Sequence, residues 1–581
     1  MSIFSSVRVN KPKRNVFSLS HERKTTFNMG QLIPILTIPC LPGDSHKCSA
    51  EVFLRFAPML APIMHRVDLM TYYFFVPYRL IDKNWEEFIT GGPDGNSQVM
   101  LPRIKFTNSG LLSVGSLSDH LGVHSGSNFG SQSEPFDGIS VTVSSYPFSA
   151  YNLIYNEYFR DQNLTNPVFI PPIDGNSDWQ GINVDSDYDE PDGDSAFDTS
   201  VFAPADEYFT IKSKAWRKDY FTSALPWTQR GAEMKLPIAG TLPINFRANS
   251  TDSIIVAGGT GGGDFLLGAQ ELSNDTNYSA SLASTDAQGG IRFFDDFALD
   301  NSKNLTADLS DASAVTINDL RRVVAIQRWL EANARGGARY VEQLLMHFGV
   351  TPQDARLQRP EFLGGGKSPV VISEVLQQSA STASGTDTAQ GNMAGHGLAS
   401  MANHAFTYHC KEHGLIMGIM CVMPKSAYMQ GIPREFLKTD KFDFGWPELA
   451  HLGEQEIWQA ELYANDAKVV SGQAVQNYDN TTNPEERVFG YTPRYAEYKY
   501  MPDIVCGEFR SSLNFWHMSR NFLSAPVLNN SFVTAEPTSR IFAVENAGNG
   551  TSSYIDHVFG QIYFNIKSIR PLPKYGTPGT L

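Results

Sequence analysis

His404, His409, Cys410 and His413 fall within ten consecutive positions and carry the side chains of a metal site. Imidazole and thiolate are what a zinc ion takes, and four of them in a tetrahedron would close a structural centre. The spacing argues against it. The run that follows, "HGLIMGIMCV", reads as extended, and on a strand His409 and His413 share a face about 13 Å apart. Core or interface histidines in separate environments are the expectation, with no metal. "LGGGKSP" ends like a phosphate-binding loop at Gly366, Lys367 and Ser368, but Glu361 stands where that loop needs glycine. Pro369 then forbids the helix whose N-terminus would hold the phosphate. Asp185, Asp187 and Asp189 alternate like the first ligands of a calcium loop. That pattern wants glycine where Glu190 stands and a bidentate glutamate where Ala196 stands, so a solvated acidic loop is the simpler reading, with calcium a weak second. No G-x-S-x-G, H-E-x-x-H or C-x-x-C occurs, and Asp295-Asp296 lacks a flanking apolar pocket signal that would split its pKa values. Nothing reads as an active site, and neither an enzyme nor a cofactor is expected.

Binding chemistry is better represented. "FGYTPRYAEYKY", Phe489 to Tyr500, interleaves aromatic rings with Arg494 and Lys499. Such a mixture suits a single-stranded nucleic-acid groove, where bases stack and phosphates pair. It suits a protein interface equally, since tyrosine and arginine are favoured anchors there. Glu497, with Glu485, Glu486 and Asp503 nearby, would repel phosphate. Arg494, Tyr495 and Tyr498 are therefore read as intersubunit or inter-sheet anchors, with DNA contact the alternative.

The charge of the whole chain is −15, and it is uneven. Met1 to Lys24 carries Arg8, Lys11, Lys13, Arg14, Arg23 and Lys24 against Glu22 alone, a net +5 that leaves −20 for the remainder. A basic arm on an acidic body fits a single anionic partner met on one side, and each cation that pairs with a phosphate releases a counterion.

The elements that must position these groups follow from periodicity. The chain's 581 residues are 41% hydrophobic and 12% aromatic, with 47 Gly and 33 Pro, which favours a β-dominated chain able to bury a large core. "SAEVFLRFAP" alternates as a half-buried strand, whereas "DLMTYYFFVPYRL" is apolar on both faces and reads as a strand covered on both sides. Ala50–Phe56, Leu69–Val76, Leu415–Val422 and Ile504–Leu513 are the expected core strands. Trp85, Phe88 and Ile89 make a short amphipathic turn stopped by Gly91 and Gly92, and a helix is expected over Ala150–Phe159. Leu320, Val323, Ile326 and Leu330 form a helical stripe, Val341, Leu344, Leu345 and Phe348 a second, with Gly336-Gly337 between; residues 317–348 are expected as a helical insertion outside the sandwich. Five scattered cysteines suggest buried thiols in a reducing compartment, and no apolar stretch is long enough to span a bilayer.

Two stretches stand apart. Residues 174–207 hold eleven acidic residues and no Lys or Arg, and residues 240–316 hold ten against Arg247, Arg292 and Lys303. Both read as surface excursions, the first an acidic loop.

"NVFSLSHERKTTFNMGQLIPI", "RFAPMLAPIMHRVDLMTYYFFVPYRL", "DARLQRPEFLGG", "EHGLIMGI", "FGYTPRYAEYKY" and "RPLPKYGTPG" together resemble the signature blocks of the major capsid proteins of microviruses, closest to the gokushovirus-like branch. The resemblance implies a mainly β fold, a viral jelly roll of eight antiparallel strands in two packed sheets with long insertions. It implies self-assembly into a T=1 icosahedral shell around a single-stranded DNA genome, in a virion made in a bacterial cytoplasm. Other virion proteins (a small internal DNA-binding protein, a pilot protein, a scaffold) and a host-cell receptor are the implied partners. Within this frame residues 1–35 become an interior basic arm, 36–581 one jelly-roll domain with insertions, and 240–316 a surface protrusion. Leu266, Leu267, Phe293, Phe294 and Phe297 are its expected contact residues. The alternative function is a carbohydrate-binding module or enzyme on a similar sandwich.

Overall fold

The computed structural model describes residues 14–93, 99–106, 109–124, 141–170, 205–231, 317–336, 340–349, 353–376, 393–438, 440–464, 488–543 and 556–575. It also describes positions 97 and 351, the paired strands 467–470 and 473–476, and four short strands between 255 and 293. Two compact units result, one of residues 1–230 with 331–581, the other of residues 231–330.

Ten strands build the first unit's two main sheets. They are β1 (Asn15–Ser18), β2 (His21–Phe27), β3 (Ile33–Cys40), β4 (Ser45–Phe56), β5 (Val67–Pro77), β6 (Glu361–Pro369), β7 (Val371–Leu376), β8 (Met393–His409), β9 (Gly414–Pro424) and β10 (Val558–Arg570). Sheet one runs β10–β4–β8–β7, with β1 and β2 both paired to β10; sheet two runs β6–β5–β9–β3. Every pairing is antiparallel. The first and last of these strands, β1 and β10, are neighbours. Neighbours so distant in sequence are the mark of a sandwich rather than of successive hairpins.

Sheet one alternates. Cys48, Ala50, Val52, Leu54 and Phe56 of β4 and Val558, Gly560, Ile562, Phe564 and Ile566 of β10 point inward, and the residues between them are half-buried or exposed. In sheet two the central strand β9 is covered on both faces along its whole length, whereas β5 alternates over positions 67–72 before becoming buried throughout and the edge strand β6 stays half-buried or exposed. Leu69, Tyr73, Phe75, Ile416, Met420 and Val422 pack toward sheet one. Phe74, Val76, Leu415, Met417, Ile419 and Cys421 pack the other way, under a layer that includes Ile104, Phe106, Phe148, Tyr151 and Ile154. All eleven residues of β9 are buried, which explains an unbroken apolar run in an antiparallel strand.

The covering layer contains a helix at Tyr146–Ile154, continued by a wider turn over Tyr155–Phe159, so the helix expected at Ala150–Phe159 starts four residues earlier. The Tyr151 hydroxyl donates to the Leu32 carbonyl (2.8 Å) and accepts from the Lys212 N–H (2.9 Å), tying this layer to β3's approach. Trp85–Thr90 is helical and stops at Gly91, whose φ of 77° lies in the left-handed region. The two expected helices form at Ile317–Gly336 and Tyr340–Phe348. Leu320 is exposed rather than part of a buried stripe, with Val323, Ile326 and Leu330 half-buried.

One expected core strand fails. Ile504–Leu513 has no sheet partner; it runs extended into a 3₁₀ turn at Gly507–Arg510, and most of it is exposed. Gly507, at φ 68°, turns the chain where a strand would continue, and Glu508, Arg510, Ser511 and Ser512 supply no inward face. Of the cysteines, four are buried free thiols as expected and Cys506 is exposed. Among the described residues no helix is long and apolar enough to cross a membrane.

Candidate assembly and nucleic-acid surfaces

The arm residues divide. Arg8, Lys11 and Lys13 lie outside the described residues. From Asn15 onward the chain is not a free arm but the edge of sheet one, paired residue by residue to β10 from Asn15↔Arg570 to Phe27↔Val558. Arg14 is exposed at the start of this edge. Arg23 turns in: its guanidinium donates to the His120 carbonyl, and burial holds its pKa below the ordinary arginine value, with Asp119 partly opposing. Lys24 stays out, its side chain 79% exposed.

Pairing brings Lys24 beside residues far away in sequence. The outward positions of β4 and β10 stand opposite one another as Lys47↔Lys567, Glu51↔Tyr563, Phe53↔Gln561 and Arg55↔Phe559, while Lys24 faces Gln561. Arg55 lies 5.3 Å over the Phe53 ring. Lys24, Arg55, Phe53, Phe559 and Gln561 line a shallow groove of ≈ 600 Å³ whose wall also includes Arg23, Asp119 and His120. Cations and half-exposed rings at a strand spacing of about 4.8 Å offer stacking and phosphate contact side by side. The sequence hint was the alternation in "VFGQIYFNIKSIR", whose outward residues include Phe559, Tyr563 and Lys567; which cations would join them depended on pairing.

The anchors of "FGYTPRYAEYKY" separate as well. Val488–Pro493 pairs with Glu454–Trp458, and Phe489 enters a small third core with Ile457, Leu462 and Phe532. Tyr495 is buried; its N–H donates to Gln455 Oε1 (2.9 Å), and its φ of 59° puts it in the left-handed region. Arg494 lies over the Tyr495 ring (4.9 Å) and donates to the Phe442 carbonyl (2.9 Å). Tyr500 stacks on Tyr220 at 5.4 Å. These residues are anchors within the subunit.

Tyr498 differs. It is 57% exposed, accepts hydrogen bonds from Lys438 Nζ (2.8 Å) and the Gly445 N–H (3.1 Å), and the lysine bond lowers its phenol pKa. Phe436, Phe442, Phe444 and Trp446 are also exposed around this ridge, which sequence reading had not singled out. An exposed aromatic ridge of this kind is what a neighbouring molecule covers.

The remaining candidates scatter. His404 is exposed beside Thr407 (3.1 Å), His409 meets Ser45 Oγ (2.9 Å), and His413 lies 5.6 Å from the Trp85 ring. Lys367 is in β6, ion-paired to Asp68 at 2.7 Å rather than poised over a phosphate. Cys410 leaves the histidines and joins Cys40 and His46, a grouping hidden in sequence by the 364 positions between His46 and Cys410. Its thiol is drawn down to about 6, first by the hydrogen bond with Cys40 and then by His46, while the same bond and burial push Cys40 up. Asp185, Asp187 and Asp189 lie outside the described residues, as do Asp295-Asp296 and the side chains of Leu266, Leu267, Phe293, Phe294 and Phe297. The backbone of the second unit contains two short hairpins, Ile255–Ala257 with Asp264–Leu266 and Ala283–Thr285 with Ile291–Phe293.

A sandwich that covers one sheet on both faces, and leaves open a basic-aromatic sheet face and an aromatic ridge, belongs to the class of structural β-sandwich subunits. Comparison with known proteins gives the particular family. Residues 5–580 match the family described as "Capsid protein (F protein)". The chain is 33% identical to capsid protein VP1 of Bdellovibrio phage phiMH2K, over 98% of this chain and 95% of that protein. Identity is 32% to capsid protein VP1 of Chlamydia phage 1, over 99% and 97%, and 29% to that of Spiroplasma virus 4, over 99% and 97%. The chain belongs to the capsid protein (F protein) family of microviruses. It is a structural protein of a phage virion that self-assembles into a shell, and the enzyme alternative falls away.

Proposed function

We propose that copies of this chain close into a T=1 icosahedral shell around single-stranded DNA, with the outer face of sheet one turned toward the genome. The supporting observation is the placement of Lys24, Lys47, Arg55 and Lys567 on adjacent strands among Phe53, Phe559 and Tyr563, in a chain whose net charge is −15. An acidic protein that meets DNA must concentrate its cations on one surface. The residues before Arg14 extend that surface with Arg8, Lys11 and Lys13. Residues 240–316, with a net charge of −7, face away from the DNA and meet the host cell, and the ridge around Tyr498 seats a neighbouring subunit.

The test is particle assembly with Lys24, Arg55 and Lys567 all changed to Ala. Shells are expected to form, but DNA retention falls and the salt slope of binding shrinks by about 2, roughly 0.7 for each lost phosphate contact. An unchanged slope removes sheet one from the genome surface. The same measurement with Lys11, Lys13 and Arg14 changed to Ala asks whether the leading residues share the role. Replacing Thr241–Val315 with a short Gly-Ser linker tests the insertion: shells that form but do not adsorb to host cells support it, and normal adsorption refutes it.

A further inference from the structure

We propose that Cys40, His46 and Cys410, with the buried carboxylate of Asp44 beside them, form a structural site for a thiophilic divalent cation of the zinc class, which pins the two sheets together at one end of the sandwich. The place is where the chain changes sheets twice. Cys40 ends β3 in sheet two, and the turn Leu41–Asp44 carries the chain into β4 of sheet one. Cys410 follows β8 of sheet one and leads into β9 of sheet two. The crossovers lie against each other: the Gly43 N–H donates to the Cys410 carbonyl and the Cys410 N–H to the Asp44 carbonyl, both at 2.8 Å. Gly43, at φ 90°, supplies the left-handed residue that the tight turn needs.

The donors converge. Both sulfurs and a ring nitrogen of His46 lie within 4.8 Å of one another, and all three residues are at most 2% exposed. Cys40 Sγ is 3.6 Å from His46 Nε2. With Zn–S near 2.3 Å and Zn–N near 2.0 Å, a tetrahedral ion sets its sulfur and nitrogen ligands about 3.5 Å apart. The imidazole is already aimed: Nδ1 is bonded to the buried Ser568 Oγ at 2.7 Å, which leaves Nε2 facing the thiols. A ligating histidine is commonly oriented in this way through its other nitrogen.

Asp44 supplies the second, independent sign. Its carboxylate is fully buried, with Oδ2 3.5 Å from His46 Nε2 and accepting from the Leu41 N–H at 3.0 Å. Oδ1 has no hydrogen-bond partner. A buried carboxylate oxygen without a partner calls for an explanation, and a cation is one. Charge closes too. Two thiolates and one carboxylate are balanced by a divalent ion and the guanidinium of Arg570, whose Nε lies 3.5 Å from Asp44 Oδ2. Binding takes both sulfurs as thiolates, sends any proton they still share to solvent and involves no redox change. The proposed site is the opposite of the metal-free expectation from sequence, and it uses only one of the four residues weighed there.

The experiment uses the full chain, purified under reducing conditions with zinc chloride present and then passed into metal-free buffer. Elemental analysis is expected to find about one zinc per chain, and at least a tenfold smaller content in the variant with Cys40→Ser and Cys410→Ser together. If that variant does not fold, the wild-type chain carries the test alone. Exchange into Co²⁺ is expected to give the near-ultraviolet thiolate–cobalt band and intense tetrahedral visible bands. Ser568→Ala, which leaves Cys40, His46, Cys410 and Asp44 in place, is expected to weaken Zn²⁺ binding 10–100-fold in competition with a zinc indicator. The proposal is overturned by wild-type chain that takes up neither zinc nor cobalt, by stoichiometric zinc that survives loss of both cysteines, or by a Cys40–Cys410 disulfide in chain isolated without air.

Discussion

The two main sheets are built from similar residues yet live in different solvents. Sheet one has a core face and an open face, so β10 alternates buried and exposed from Val558 to Ser568. Sheet two is covered on both sides along its centre, and β9 is buried from end to end. An open face can carry chemistry: the cations and rings of the proposed DNA surface all stand at outward positions of sheet one. The covered strands carry packing, and the aromatic and sulfur-rich residues of β5 and β9 serve that end. The division suits a shell subunit, which needs one rigid layer that no partner disturbs and one layer that a partner can reach.

Truncating one ring in each sheet tests the contrast most strongly. Phe74→Ala removes a ring that is 1% exposed and packs on Tyr158, Phe159 and Phe362. The expected loss is about 3–5 kcal/mol in chemical denaturation. Phe559→Ala, at a position 39% exposed, is expected to lose less than about 1 kcal/mol while reducing DNA retention. Equal losses from the two would end the distinction.

Adding a methyl group compares the core-facing sides of the two sheets. A Cβ on Gly418 of sheet two would sit 2.9 Å from both the Leu36 Cβ and the Tyr73 ring, in a core with no room to shift. Gly418→Ala is expected to destabilise by about 1–3 kcal/mol. On Gly560 of sheet one the first contact is the Leu54 Cδ2 at 3.0 Å, the far end of a flexible side chain. Gly560→Ala is expected to stay under about 1 kcal/mol in the same assay.

The smallest effect lies in sheet two's covering layer. Burial pushes the Lys212 ammonium down to about 8 from 10.5, against partial support from Glu207. Between those values the unfolded chain holds a proton that the folded chain has released, so this residue makes stability rise with pH across the window. Lys212→Met is expected to flatten that rise, read as the change in Tm from pH 8 to pH 10 in variant and wild type. Identical slopes would mean that Lys212 is as solvated as a surface lysine.

Sequence patterns carried much of this fold because burial acts on side chains in order. The strands of β4, β5, β9 and β10 and the helical pair at 317–348 were all legible from apolar spacing, since a half-buried strand must alternate and a covered one need not. Ile504–Leu513 shows where the reasoning stops. Its composition suits a strand, but a strand exists only if an edge is free to pair with it, and no local pattern records that. The capsid family was legible too, in blocks spread from Asn15 to Gly579.

The functional surfaces were less so, because each is made by pairing. Arg23 and Lys24 are consecutive and equally cationic, yet opposite pleats send one under His120 and the other into solvent. Arg494, Tyr495 and Tyr498 read alike as anchors, and only the folded chain turns two inward and leaves the third on a ridge. Cys410 sits three positions from His413, but strand direction carries it to Cys40 and His46. Sequence by itself determined the alternating and apolar runs of the core strands, how the charge is divided along the chain, and the family. Tertiary structure decided which side chains meet, because contact across a sheet is set by register between strands hundreds of residues apart, and register is a property of the assembled core.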